Sequence, residues 1–338
     1  MRTALVTGSA GFIGYFTCKR LLEAGFRVIG IDAMTDYYDV SLKERRHAML
    51  LQGPNFSAIN ARIEEPDMLK NLMRDEQIDV VIHLAAQAGV RYSIEDPKSY
   101  VQANLLGAYE LLEAARAHKP DHLLMASTSS VYGANTQMPY KETDKVDTQM
   151  SFYAATKKAN EAMAHSYAHL YDIPTTMFRF FTVYGPWGRP DMAPIRFAKA
   201  IYAGEAIDVY NHGKMKRDFT YVEDLTEGIL RLIDAVPVRP ASADDIEEGD
   251  SLSPVAPFRQ VNIGNAEPVP LMEFIAAMEA AIGVEAKKNY MDIQPGDVPA
   301  TWADISLLKR LTGFAPSTNV QTGAQKFVEW YKEYYKQG

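Results

Sequence analysis

The first fourteen residues constrain the chain most. TALVTG is an apolar run, and SAGFIG follows it, so Gly8, Gly11 and Gly14 fall at G-x-x-G-x-x-G spacing between a strand and a helix. Glycines let a backbone turn tightly and approach an anion closely, and the helix N-terminus behind them carries positive partial charge. Asp32 closes the next apolar run, eighteen residues past Gly14. An acid there accepts hydrogen bonds from ribose hydroxyls and repels a 2′-phosphate, so the pattern predicts NAD in preference to NADP. Phe12 and Ile13, which open the helix, join the three glycines and Asp32 as expected cofactor contacts.

This opening unit then repeats in kind. TALVTG, RVIGID, NFSAIN, DVVIHLA, HLLMAST and TTMFRF read as strands, and the stretches between them, such as FIGYFTCKRLLEAG, EEPDMLKNLMRDE and SYVQANLLGAYELLEAARAH, carry helical periodicity. Gly25 is placed to end the first helix, and Pro66 sits early in another. Strands alternating with helices require right-handed crossovers and a parallel sheet covered on both faces. The expectation is an α/β, doubly wound (Rossmann) domain over residues 1–183, to which 217–235 and 260–264 add a strand and a helix. From residue 184 the rhythm breaks into Pro- and Gly-rich pieces, so 184–338 should form a smaller, mainly substrate-binding part. Residues 237–257, rich in Pro, Asp, Glu and Ser, read as an exposed, mobile loop.

Charge and cysteine use narrow the function. With 43 acidic against 35 basic side chains, the net charge of -8 argues against a general nucleic-acid-binding field. The single cysteine, Cys18, precludes an intramolecular disulfide and falls among apolar residues of the first helix. The chain opens on a strand and has no apolar span long enough for a membrane, so a cytoplasmic protein is expected. No metal site is expected.

Two further stretches carry chemistry. In VVIHLAAQAG the strand ends in small residues, and Leu84, Ala85, Ala86 and Ala88 would let a flat cofactor lie along it, while His83 reads as a core histidine. In ASTSSVYG four hydroxyls, Ser127 to Ser130, stand at a strand end with no acid among them. Tyr153 and Lys157 of SFYAATKK are four apart and share a helix face. An ammonium beside the phenol, together with a positively charged nicotinamide, would favour the phenolate and bring it toward the range of a working base.

At this point the chain resembles the extended short-chain dehydrogenase/reductase family, and within it the nucleotide-sugar epimerases. TGSAGFIG, HLAAQAGVRYSIEDP, STSSVYG, YAATKKANE, VYGPWGRPDM, RDFTYVEDL and QPGDVPATWAD carry the resemblance in order. It implies Tyr153 as base, Lys157 as its partner and a holder of the nicotinamide ribose, and Thr128 as the hydroxyl on the reacting sugar oxygen. It adds Asn104 and Ile63 to the cofactor contacts. Members that eliminate water carry Asp-Glu where this chain has Ser129 and Ser130, and decarboxylating members typically carry Glu at Ser130. Transient oxidation at carbon 4, turning of the keto sugar and hydride return is therefore the implied reaction, with Ser129 and Ser130 as plain substrate contacts. Arg189 resembles an arginine that faces a sugar carboxylate, and Thr182 stands where neutral-hexose enzymes usually have Asn, which together imply interconversion of UDP-glucuronate and UDP-galacturonate. Arg217 is implied for the UDP phosphates, Arg91 for that anion or the sugar, Asn211 for the uracil side, and Asp297 for a structural or ribose contact. One departure stands out: Arg62 occupies the place of an Asp that contacts the adenine amine, and arginine cannot accept that bond. Helices near 97–117 and 152–171 would pair two copies through a four-helix bundle. A neutral-hexose epimerase, a UDP-glucuronate decarboxylase and a non-catalytic dinucleotide-binding regulator are the competing readings.

Overall fold

A computed structural model describes residues 1–294 and 296–336. Seven strands form one parallel sheet: β1 (Thr3–Thr7), β2 (Arg27–Asp32), β3 (Phe56–Asn60), β4 (Val80–His83), β5 (His122–Thr128), β6 (Thr175–Phe180) and, after the short β7 (Thr182–Tyr184), β8 (Ala206–Val209) and β9 (Lys216–Tyr221), the late strand β10 (Phe258–Ile263). Their order across the sheet is β10-β6-β5-β4-β1-β2-β3. Every residue of β1, β4, β5 and β6 is buried, as a sheet covered on both faces requires, which is why these runs are continuously apolar rather than alternating. The order reverses between β1 and β4, and a crevice opens at the carboxyl ends of these strands.

The helices sort to two faces. On one lie α1 (Phe12–Glu23) and α2 (Val40–Leu50); on the other, α3 (Met68–Glu76). After two short turns, α4 (Tyr92–Glu95) and α5 (Pro97–Tyr100), and a π-helical segment (Val101–Leu106), α6 (Gly107–Ala117) and α7 (Phe152–Tyr171) join α3. The sequence reads 97–117 as one helix; the π segment interrupts it because Asn104 turns inward and spends its amide on other segments. The smaller part holds α8 (Ala193–Ala203), α9 (Val222–Leu232), β11 (Pro268–Pro270), α10 (Leu271–Ile282), β12 (Lys287–Tyr290), β13 (Ala300–Thr301), α11 (Ser306–Thr312) and α12 (Val320–Tyr335). There β9 pairs with β7, β11 and β13, while β8 pairs with β12. Of the pieces expected to return to the large sheet, β10 pairs with β6 and α9 packs on α1, but the strand β9 belongs to the smaller sheet.

Residues 237–257 are largely exposed, yet anchored. Arg239 donates from Nη1 to the Val255 carbonyl at 2.6 Å and from Nη2 to the His169 carbonyl at 2.7 Å, and Arg259 pairs with the nearly buried Asp250 at 2.9 Å. The segment is thus fastened to the end of α7 and to β10, where the sequence alone suggested a loop free to move. His83 and Cys18 are both in the core.

Candidate active site

The glycine loop is built by its neighbours. Gly8 has a φ of 74°, its N–H donates to the Ile31 carbonyl at 2.7 Å, and a Cβ there would lie 2.8 Å from the backbone nitrogen of Ala85. At Gly14 a Cβ would overlap the Gly8 carbonyl oxygen. Gly11 is the N-cap of α1 and offers no side-chain acceptor, and the first turn holds no acid, so the helix N-terminus faces the crevice with its N–H groups uncommitted to a cap. That cradle fits the pyrophosphate of a dinucleotide. Asp32 accepts from the backbone nitrogens of Ala10 at 3.0 Å and Met34 at 2.9 Å, which fixes its carboxylate at the wall with lone pairs to spare.

One cleft continues from this cradle across the strand ends. Its wall includes Gly8, Gly11, Phe12, Ile13, Gly14, Asp32, Ile63, Leu84, Ala85, Ala86 and Ala88 at the cofactor side, and Thr128, Tyr153, Lys157 and Arg189 further along. Lys157 donates from Nζ to the Ala126 carbonyl at 2.9 Å, and burial pushes its ammonium down to about 8 against the opposing pull of Glu161. Burial also raises the Tyr153 phenol above its ordinary value, while the Thr128 hydroxyl and the Arg189 charge act to lower it.

Thr128 is held at the end of β5. Its hydroxyl donates to Ser130 Oγ at 3.3 Å and accepts from the Ser130 backbone nitrogen at 3.2 Å. Behind it, Ser127 donates to Glu161 at 2.7 Å, and Glu161 takes a two-point grip from Arg179 at 2.9 and 3.0 Å, with both partners fully buried. Burial pulls the Glu161 carboxyl up, and Arg179 outweighs it and holds the group ionised. Such a pair contributes less to stability than to fixing geometry, here that of the hydroxyl-bearing strand end.

Several expected residues stand elsewhere. Asn104 is fully buried off the cleft wall: its side-chain oxygen accepts from the Gln87 nitrogen at 2.8 Å, and its amide donates to the Gln87 carbonyl at 3.1 Å and to Thr156 at 3.0 Å. It therefore supports the Leu84–Ala88 wall from behind. Ser129 and Ser130 form the turn after Thr128, and Thr182 starts β7, all three beside the wall rather than on it. Arg91, Arg217 and Asp297 gather at a separate rim. There Arg91 pairs with Asp297 at 2.9 Å and lies over the Tyr210 ring at 4.7 Å, next to Asn211, which has a left-handed φ of 50°. Burial lowers the Arg217 guanidinium, which Asp297 opposes, and among the described residues Arg217 forms no ion pair. Arg62 and Glu64 both line the cleft and pair at 3.2 Å, so this carboxylate is engaged by the arginine. Lys43, Gln87 and Tyr37 also line the cleft, unforeseen from the sequence. Helical spacing could have flagged Glu161, four past Lys157, and Lys43 lies on α2, while Tyr37 and Gln87 come from stretches without periodicity.

Among the described residues no group of three or more His, Cys, Asp or Glu could hold a metal, and no helix is long and apolar enough to cross a membrane. A doubly wound sheet with a glycine cradle at its switch point and a tyrosine–lysine pair at the far end of the same cleft defines a dinucleotide-dependent oxidoreductase-type site. The chain belongs to the NAD dependent epimerase/dehydratase family, whose sequence pattern matches residues 4–242. It is 53% identical over 332 residues to the probable UDP-glucuronate 4-epimerase of Rhizobium meliloti (strain 1021), covering 98% of this chain and 97% of that one. With UDP-glucuronate 4-epimerase 2 of Arabidopsis thaliana it shares 45% identity, over 99% of this chain and 77% of that protein. The crystal structure of UDP-glucuronic acid 4-epimerase from Bacillus cereus, in complex with UDP-glucuronic acid and NAD, superposes with a TM-score of 0.87 at 33% identity, covering 98% of this chain and all of that one.

Proposed function

We propose that this chain is an NAD-dependent UDP-glucuronate 4-epimerase, interconverting UDP-glucuronate and UDP-galacturonate. NAD, when bound, supplies the hydride acceptor at carbon 4 and the same hydride for return. Gly8, Gly11 and Gly14 leave room for its pyrophosphate at the start of α1, and Asp32 offers acceptors to a ribose.

Tyr153 takes the proton of the carbon-4 hydroxyl as that carbon is oxidised and gives it back after the sugar has turned. Lys157, its ammonium eased down by burial, holds the ribose hydroxyls and carries positive charge beside the phenol. Thr128 turns its hydroxyl proton from Ser130 Oγ to the sugar oxygen at carbon 4, while the Ser130 backbone nitrogen still donates to it and holds it in place. The 4-keto form of a uronic acid is a β-keto acid and loses carbon dioxide readily. Arg189 holds the carboxylate charged and away from alignment with the ketone, which slows that loss. Arg217 and Arg91 take the diphosphate end, with Asn211 and Asp297 toward the nucleoside. Residues 1–183, with α9 and β10, then serve the cofactor, and 184–338 chiefly serve the UDP-sugar.

One observation carries this reading: Tyr153, Thr128 and Arg189 share a wall with the glycine cradle, and the Thr128–Ser130 turn supplies no carboxylate that could drive elimination or decarboxylation. The test presents UDP-glucuronate and UDP-glucose separately and resolves the products. Galacturonate from glucuronate supports the proposal; turnover of UDP-glucose alone, or pentose as the main product, refutes it. Tyr153→Phe should cut turnover about a thousandfold or more, as loss of general-base catalysis does, while purified protein keeps its bound dinucleotide.

The same reading places the enzyme in the cytoplasm, where NAD and nucleotide sugars are solutes, and as a homodimer. Leu106, Tyr109 and Phe152, 51%, 46% and 40% exposed, give the face of the π segment, α6 and α7 an apolar surface, which favours a four-helix bundle between two copies.

A further inference from the structure

Arg189 does not reach the cleft as a free side chain. Its Nε donates to Asp191 Oδ1 at 3.1 Å and its Nη2 to Asp191 Oδ2 at 2.5 Å, so one edge of the guanidinium is gripped by both carboxylate oxygens. The Tyr37 phenol donates to the same Oδ2 at 3.2 Å, and the Tyr37 ring centre lies 5.7 Å from the guanidinium carbon. Pro190 separates the partners and fixes the backbone between them, while the Met192 nitrogen donates to the Arg189 carbonyl at 3.1 Å and closes the turn. Burial works against the arginine's charge, and Asp191 more than restores it. Among the described residues no second carboxylate reaches the guanidinium.

We propose that Asp191, assisted by Tyr37, is a positioning residue for the substrate carboxylate: it fixes one edge of Arg189 so that the Nη1 side is presented to the sugar acid. The proposal rests on the reading of Arg189 as the carboxylate grip. A guanidinium carries five N–H donors in two usable forks, one made of Nε and an Nη, the other of the two Nη atoms. Asp191 occupies the first and leaves the second. An arginine held in this way has already lost most of its rotamer freedom, so the substrate does not have to order it. The ion pair also decides how the site discriminates. With a neutral sugar bound, Arg189 still has Asp191 as counter-charge, so selection for a uronate comes from added attraction, not from stranding a cation beside a hexose.

The rival role is competition, in which Asp191 must be displaced before a uronate binds, and it predicts the opposite sign. The test compares Asp191→Ala, Arg189→Ala and the double variant with the parent enzyme. For each, KM for UDP-glucuronate, the fraction of product that has lost carbon dioxide, and the inhibition constant of UDP are measured. The expected result for Asp191→Ala is a KM raised about tenfold, in the range of one charge-assisted hydrogen bond, with more decarboxylated product and an unchanged UDP constant. The double variant should be no worse than Arg189→Ala alone, because Asp191 acts only through Arg189. Asp191→Asn, which keeps one acceptor oxygen, should fall between, and Tyr37→Phe should shift the product fraction in the same direction. A KM that falls or stays level in Asp191→Ala while Arg189→Ala is impaired overturns the positioning role and leaves the Arg189 grip standing. A UDP constant that weakens in parallel also overturns it, since the damage is then general. If Arg189→Ala changes neither KM nor products, the grip itself is wrong and the proposal falls with it.

Discussion

Single atoms decide whether the cofactor cradle exists. The Cβ of an alanine at Gly14, in the first turn of α1, would overlap the Gly8 carbonyl oxygen in the loop before it. Gly14→Ala is therefore expected to yield protein with little or no bound dinucleotide, read from the absorbance of the purified enzyme; full occupancy would remove steric fit as the reason for this glycine. Such residues were legible in the sequence because they are close in the chain. Gly8, Asp32, Tyr153 and Lys157 each lie in a regular run whose spacing reports their direction. Asn104 was not legible in its role: the sequence reading made it a cofactor contact, but an amide can support a wall from behind as well as line it, and only the contacts with Gln87 and Thr156 distinguish the two. Arg62 is the converse case, since the sequence showed a missing acceptor and the structure shows only that Arg62 pairs with Glu64.

Strands β4 and β5 lie side by side and each buries an imidazole. His83 bonds Thr7 through Nδ1 at 2.8 Å, and His122 lies between the Ile233 carbonyl at 3.0 Å and Thr176 at 2.9 Å. Burial pushes them down to about 3 and about 4. Both are neutral in the fold, so below the ordinary histidine value the unfolded chain takes up protons that the folded chain does not. The stability is present above pH 6.5 and is lost as pH falls toward 4, by up to about 1.4 kcal/mol per pH unit for each group. The urea midpoint should therefore drop between pH 7 and pH 5, and His83→Asn should flatten that slope; an equal slope in the variant would clear His83 of the effect. At this scale the alternation of strand and helix was the most legible feature, because a sheet buried on both faces is built from short, mainly apolar runs. The break in the helix around Asn104 was hidden, since its apolar spacing stays helical and the cause is a bond to a distant loop.

At the scale of the molecule the two parts meet along the crevice, and copies of the chain are expected to meet along α6 and α7. Leu106→Arg with Phe152→Asp should convert a dimer to a monomer in sedimentation velocity, with the folded signal retained; an unchanged mass would move the interface elsewhere. Where the parts adjoin was only half legible. The return of β10 and α9 to the large sheet could be read from their apolar runs, but β9 joins a second sheet through β7, β11 and β13, strands of two or three residues with too little pattern to announce themselves. The tie between the parts was not legible at all. Arg46 is fully buried and, among the described residues, forms no ion pair; it donates to the Ala10 carbonyl at 2.8 Å in the glycine loop and to the Trp187 carbonyl at 2.5 Å, two residues before Arg189. One side chain from a third element thus rivets the cradle for the coenzyme to the segment that carries Arg189. Loss of the Arg46 side chain is therefore expected to loosen both ends together.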